Sequence, residues 1–367
     1  MSPTSPPPTP ATSSPSAPIV WADALRAQAF HTWLSAVAAP HGLHADSLRL
    51  AAADAGFRRY FRLDSNTGSR IVMDAPPDKE NCEAFARIAA LMAQAGLRVP
   101  EVLAWDPAQG FMLLTDLGTQ TMLELLQSDA PQGHTPPAPT PLFHQAVDTL
   151  ITLQKASQPG VLPAYDAATL QRELALFPDW YIAQHRGITL DDKQRATLDS
   201  VFAQIVANNL DAASVYVHRD FMPRNLMVGS AELGVLDFQD ALYGPITYDI
   251  ASLLRDAFHS WEEDFVLDIT IRYWERARKA GLPVGNDFGA FYRSVEWMGL
   301  QRHLKVAGIF ARLTLRAGKP KYLADTPRFI RYIRATAGRY RELKPLLRLI
   351  DQIEGTTAAT GFAYGRM

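Results

Sequence analysis

Apolar positions recur at near-helical spacing from Trp21 until Pro40, through Leu25, Ala29, Phe30, Trp33, Leu34 and Val37, and predict an N-terminal packing helix. Three shorter runs follow, Ser47–Ala51, Phe57–Leu63 and Ile71–Met73, separated by Asp54-Ala55-Gly56 and by Ser65-Asn66-Thr67-Gly68-Ser69. Runs of this length between turn-forming residues predict an antiparallel meander. Glu80–Ala95 returns to the helical period, with Phe85, Ile88, Ala89 and Met92 on one face and Gly96 as its stop. Val102–Trp105 and Phe111–Leu114 complete a sheet of five strands. After the link Thr115-Asp116-Leu117-Gly118, helical patterns dominate: from about Thr121, then Leu142–Lys155, Leu170–His185, Asp191–Asn209, Tyr248–Phe258, Asp264–Ala280 and Phe288–Val306. A final helix is expected to open with Thr326 as cap and Pro327 in its first position. Asp129–Pro141 is too rich in proline for a helix and reads as a loop.

The expected class is therefore α+β, a small antiparallel β lobe followed by a large mainly helical one. Residues 1–20, MSPTSPPPTPATSSPSAPIV, read as a Pro/Ser/Thr tail with neither the charged start nor the apolar stretch of a secretory signal. The first lobe is expected over 21–116, the second over 117–355, and a C-terminal tail over 356–367. With 367 residues and 47% hydrophobic content, the chain can bury cores of that size.

A single cysteine, Cys82, excludes a disulfide framework within the chain and fits a reducing cytoplasm. No apolar run is long enough for a membrane span. A net charge of −2 with scattered Lys and Arg gives no nucleic-acid footprint. The expectation is a cytoplasmic monomer acting on small molecules, with no nucleic acid and no membrane as partner.

Between Tyr216 and Asp240 the pattern changes again. Tyr216-Val217, Leu226-Met227-Val228 and Gly234-Val235-Leu236 are too short for helices and each stops at polar residues, so short strands flank a loop. Strand ends then carry Asp220, Asn225 and Asp237. The spacing His218-Arg219-Asp220, four residues, Asn225 matches the catalytic loop of phosphoryl transfer, in which the Asp takes a proton from the attacking hydroxyl and the Asn binds metal. Asp237-Phe238-Gln239 stands where such enzymes carry Asp-Phe-Gly. One carboxylate and one amide are hard oxygen ligands suited to Mg²⁺ alongside phosphates and water. Taken singly, Asp220 and Asp237 read better as turn or strand-end residues and His218 as a hydrogen-bonded core histidine; their joint spacing favours an ATP and Mg²⁺ site.

The longer strings DAGFRRYFRL, IVMDAPP, HRDFMPRNLMV, GVLDFQDALYGPITYDIASLLRD and QRHLKVAGIFARL resemble the aminoglycoside-phosphotransferase group of small-molecule kinases, a group related to protein kinases in fold. Within it they are most similar to bacterial kinases that phosphorylate the anomeric hydroxyl of N-acetylmuramate and N-acetylglucosamine in peptidoglycan recycling. The resemblance runs from Trp21 to the last helix. It implies a two-lobed protein-kinase-like fold, an ATP-dependent sugar 1-kinase yielding an α-1-phosphate, Asp220 as base, and Asn225 and Asp237 as metal ligands. Asp249 would prop the catalytic loop, or cap the helix after Thr247. Arg224 and Asp240 flank the expected reaction centre and are candidates to hold the sugar, as are Arg302 and His303, polar residues inside an apolar helix. Arg302, Lys305, Arg312, Arg316, Lys319 and Lys321 suit an anionic or neutral sugar better than a polycationic aminoglycoside.

Two departures stand out. The third strand reads Ile71-Val72-Met73-Asp74 and lacks the Lys that usually holds the α- and β-phosphates, which leaves Glu83 without that partner. Arg58 or Arg59 would supply the charge, or the backbone and Mg²⁺ would. The backbone of Thr115, Asp116 and Leu117 is the candidate for the adenine edge, or else a plain connection. Gln239 replaces the usual Gly. Alternatives are a kinase of an aminoglycoside, choline or homoserine-like substrate, and a nucleotide-binding pseudokinase, the last motivated by the missing Lys.

Overall fold

The computed structural model describes residues 19–53, 57–127, 138–229, 231–318 and 320–356. The Asp54-Ala55-Gly56 turn expected from the sequence lies outside them, as do residues 1–18 and 357–367 of the two tails. The chain forms two compact units, one of residues up to Ala90 with Pro100–Leu117, the other of Leu91–Val99 with Gly118 onward.

The first unit opens with helix α1 (Ala24–Ala38), whose start is capped by the Asp23 carboxylate accepting from the Leu25 and Arg26 amides. Its sheet comprises β1 (Leu43–Ala53), β2 (Arg59–Ser65), β3 (Gly68–Asp74), β4 (Val102–Asp106) and β5 (Phe111–Thr115), all antiparallel, in the order β1-β2-β3-β5-β4. Alternation puts Phe61 and Leu63 on one face of β2 and Arg62 on the other. That apolar face, with Val72, Phe111 and Leu113, closes on Phe30 and Leu34 of α1. Trp21 stacks on Phe61 with ring centroids 5.7 Å apart. The β4–β5 turn depends on Gly110, at φ 70°: a Cβ there would sit 1.9 Å from the Ala75 carbonyl oxygen. Helix α2 (Cys82–Gln94) starts in the first unit and ends in the second.

The second unit holds α3 (Met122–Gln127), α4 (Pro139–Lys155), α5 (Ala167–Leu176), α6 (Asp192–Asp211), α7 (Thr247–Leu254), α8 (Glu263–Lys279), α9 (Phe288–Ala317), α10 (Thr326–Arg339) and α11 (Lys344–Glu354). Several expectations change here. Proline does enter α4, at its first positions, where no amide donor is needed; the rest of the expected loop falls largely outside the described residues. The helix expected over Leu170–His185 switches after Leu176 to π-helical turns over Phe177–His185, beginning beside Pro178, which has no N–H to continue the α pattern. Helix α9 runs on past Val306 to Ala317, burying Ala307, Phe310 and Ala311, and stops at Gly318 with φ 62°. Thr326 is the first helical residue rather than a cap, and α10 is not last: Leu346, Leu349, Ile350 and Ile353 recur on the buried face of α11.

Two small sheets complete the unit. Strand β6 (Ser214–Val217) pairs with a strand the sequence had not shown, β9 (Leu242–Pro245), and β7 (Leu226–Met227) pairs with β8 (Gly234–Val235). These pairings set the positions of the polar residues between them.

Candidate active site

The hairpin register pairs Leu226 with Val235 and Met227 with Gly234, so the residues just outside it, Asn225 and Asp237, come together. The Leu236 amide donates to the Asn225 carbonyl at 2.9 Å and fixes that approach. The Asn225 side-chain amide donates to the Asp220 carbonyl at 2.9 Å and to Asp237 Oδ2 at 3.3 Å, while Gln239 Nε2 donates to Asp237 Oδ1 at 2.8 Å. Asp237 holds a left-handed backbone, φ 64°. With its NH₂ group committed to these two oxygens, Asn225 has its Oδ1 as the atom to offer a cation. An amide oxygen beside a carboxylate fits Mg²⁺, with phosphates and water completing its shell. Among the described residues, no group of three or more His, Cys, Asp or Glu is arranged to hold a metal ion.

Asp220 sits on a loop fixed from behind. Asp249, fully buried in α7, accepts from the His218 amide at 2.6 Å and the Arg219 amide at 3.0 Å. Arg219 has φ 76°, a conformation costly for a side-chain-bearing residue and kept by this double anchor. Burial pushes the Asp249 carboxyl up to about 7, although both amide bonds favour its anion. The propping arrangement is thus the one observed. His218 is also fully buried; its Nδ1 accepts from the Asp220 amide at 3.2 Å, and burial lowers its pKa to about 4. A neutral ring is the form that can accept there.

The other residues singled out from the sequence are placed as follows. Arg224 is exposed on the turn before Asn225, its guanidinium 4.5 Å from the Phe258 ring centroid, and Asp240 is exposed just before β9. Arg302 is buried in α9, donates to the Arg219 carbonyl at 3.1 Å and lies over the Tyr248 ring. Neither it nor His303 lies on the surface. The His303 ring stacks on Tyr332 of α10, centroids 4.5 Å apart, with Nε2 3.2 Å from the Arg255 carbonyl oxygen, and burial takes its pKa down to about 3.

In the first unit, Arg58 pairs with Glu80 at 2.9 Å. Arg59 and Arg26 together clamp Asp74, the residue that ends β3, each at 2.6 Å, and Arg59 stacks on Trp21 at 3.9 Å. Asp116 takes a bidentate pair from Arg62 and a bond from Ser69 Oγ at 2.7 Å, and Thr115 Oγ1 accepts from the Glu101 amide at 2.9 Å. Leu117 is buried and ends this unit, and Glu83 is exposed. Lys319 lies outside the described residues.

Glu173, buried in α5, was not singled out. Its carboxylate binds Arg219, Lys305 at 2.9 Å and the Tyr165 hydroxyl. Burial opposes its ionisation, yet Lys305 and Arg219 outweigh that and hold its pKa below the usual range. The signal was present: Glu173 shares an apolar helical face with Leu170, Leu174 and Phe177, and a carboxylate in such a stripe needs a buried partner.

A loop propped from behind, with an Asn and an Asp brought together by a hairpin, is the arrangement that phosphoryl transfer uses. Residues 47–284 match the model of the phosphotransferase enzyme family, and the chain belongs to that family. It is similar to N-acetylmuramate/N-acetylglucosamine kinases from Neisseria meningitidis serogroup B, 51% identical over 86% of this chain and 94% of the relative, and from Pseudomonas aeruginosa, 48% identical over 83% and 87%. In fold it resembles a choline/ethanolamine kinase family protein from Mesorhizobium loti, TM-score 0.59 at 16% identity over 89% of this chain and 99% of that one. It likewise resembles an amicoumacin kinase solved in complex with AMP-PNP, Ca²⁺ and Ami, TM-score 0.55 at 15% identity over 85% of this chain and 96% of that one. The two-lobed kinase-like fold expected from the sequence is therefore the fold of the chain.

Proposed function

We infer that this chain is an ATP-dependent sugar kinase acting on N-acetylmuramate and N-acetylglucosamine, a step of cell-wall recycling. The observation that carries the substrate is the 48–51% identity, across more than four-fifths of the chain, to kinases named for these two sugars. The acceptor is the anomeric hydroxyl and the product the α-1-phosphate.

Asp220 orients that hydroxyl and takes its proton as the γ-phosphoryl group transfers in line. An anomeric hydroxyl is more acidic than an ordinary alcohol, so a carboxylate suffices as base. Asn225 Oδ1 and Asp237 would hold Mg²⁺, which when bound neutralises phosphate charge. Arg224 and Asp240, on either side of this loop, are proposed to meet the sugar. The backbone of Thr115–Leu117 is proposed to meet adenine. Arg58 holds Glu80 and Arg59 holds Asp74, and where the Lys is missing the phosphate charge is assigned first to backbone N–H groups. Among the described residues no helix is long and apolar enough to cross a membrane. We also take the protein to be a cytoplasmic monomer.

Phosphorus NMR of the protein with Mg-ATP and each sugar tests the reading. Growth of an acid-labile, alkali-stable sugar 1-phosphate resonance is expected. ATP turnover with kanamycin alone, or no sugar phosphate at all, would remove it.

A further inference from the structure

Directly behind the Asp220 loop lies a cluster of buried and half-buried charged side chains. Arg219, Arg302 and Lys305 converge there, Arg302 and Lys305 being three residues apart on α9 and so on one face. Facing them are the carboxylate of Glu173 and the hydroxyls of Tyr165 and Tyr248. Glu173 binds Arg219 and Lys305; Lys305 Nζ also donates to the Tyr248 hydroxyl at 3.2 Å, and the Arg302 guanidinium lies 5.0 Å from that ring centroid. Tyr165 donates its proton to Glu173 and is kept protonated by burial, so it adds no charge.

The hydrogen bonding of the cluster is incomplete. The Nε–H groups of Arg219 and Arg302 are both buried, and neither has an acceptor among the described residues. Arg302 as a residue is only 3% exposed. A buried guanidinium N–H without an acceptor costs on the order of 1–3 kcal/mol, a cost relieved when an anion arrives. The cluster also has an accessible edge: the side chains of Arg219 and Lys305 are 21% and 12% exposed. Arg219 directly precedes Asp220, and Arg302 donates to the Arg219 carbonyl at 3.1 Å, so the cluster adjoins the loop that carries the proposed base.

N-acetylmuramate differs from N-acetylglucosamine by an ether-linked lactyl group whose carboxylate is a few bonds from the anomeric carbon. We propose that Arg219, Arg302 and Lys305 form the recognition site for that carboxylate and set the preference between the two sugars. This deepens the sugar-kinase reading and rests on it. Glu173 acts as a positioning residue, holding Arg219 and Lys305 in place while the Nε–H groups of Arg219 and Arg302 stay without an acceptor among the described residues. Guanidinium N–H groups match a carboxylate in geometry, and charge-assisted bonds in a partly dry site are stronger than exposed ones.

The test compares kcat/KM for the two sugars, and for the methyl ester of N-acetylmuramate, in the wild-type protein and in Lys305→Met. In the wild type the ester is expected to have a KM about tenfold or more above that of the free acid, as loss of one charge-assisted contact predicts. This arm needs no variant to fold. In Lys305→Met the ratio of kcat/KM for N-acetylmuramate over N-acetylglucosamine is expected to fall about tenfold, and Lys305→Arg to restore most of it. A purely structural role would lower both sugars together and leave the ratio in place. Equal use of acid and ester, or an unchanged ratio, overturns the assignment while the kinase reading stands. Turnover of neither sugar by the wild type overturns the reading itself, and the assignment with it.

Discussion

Asp249→Asn should separate stability from turnover. Asp249 is fully buried, and burial raises its carboxyl from an ordinary 3.8 to about 7. A carboxyl raised in the folded state leaves the fold unpenalised below the unfolded-state value. It costs progressively more as pH rises, and the cost is complete once pH passes the folded-state value. At 1.36 kcal/mol per unit, that gap makes the buried anion cost about 4 kcal/mol above pH 7. Asparagine resembles the protonated acid in shape and has no such cost. Measured by urea unfolding, the stability of Asp249→Asn relative to wild type is therefore expected to rise by about 2–3 kcal/mol between pH 5 and pH 8. Turnover should move the other way. The ionised carboxylate accepts from both the His218 and Arg219 amides, whereas an asparagine carbonyl can replace only one acceptor. Losing one charge-assisted bond, about 1.5–3 kcal/mol, loosens the loop that carries Asp220, and kcat should drop roughly 10- to 100-fold at pH 8. A relative stability that stays flat with pH, or falls as pH rises, would refute the claim that this anion is kept at a cost to the fold.

Asp220→Asn leaves the backbone carbonyl that holds Asn225 in place, so ATP affinity should stay near the wild-type value while kcat falls about 10²- to 10⁴-fold; full turnover would remove Asp220 as base. Gly110→Ala forces a side chain into a left-handed residue with Cβ 1.9 Å from the Ala75 carbonyl oxygen, against a strand end that cannot yield cheaply. A loss of about 3 kcal/mol or more is expected in urea unfolding, and a loss under about 1 kcal/mol would show that the β4–β5 turn relaxes freely.

What this sequence determined by itself was local. Leu25 to Val37 repeat with the helical period, Phe61 and Leu63 alternate with Arg62, and the spacing from His218 to Asn225 survives any error in element boundaries, because each pattern is set by neighbours a few residues apart. The sheet of five and the helical bulk followed from such patterns, as did the Asp220, Asn225 and Asp237 set. Lengths were less legible. Helix α9 continues to Ala317 and α11 follows α10, because burial against other helices sustains helix where local signals are weak.

Partner choice was decided only by the tertiary structure. Arg58 and Arg59 were read as candidates to supply the charge of the missing Lys, and the fold brings Glu80 to one and Asp74, with Arg26, to the other. Asp116 belongs to Arg62, 54 residues earlier in the chain. Glu173 and Lys305 lie 132 residues apart and meet only because α5 packs against α9. A charged side chain carries no mark in the sequence of which opposite charge it will meet. Burial makes the pairing obligatory, and burial is a property of the packed whole.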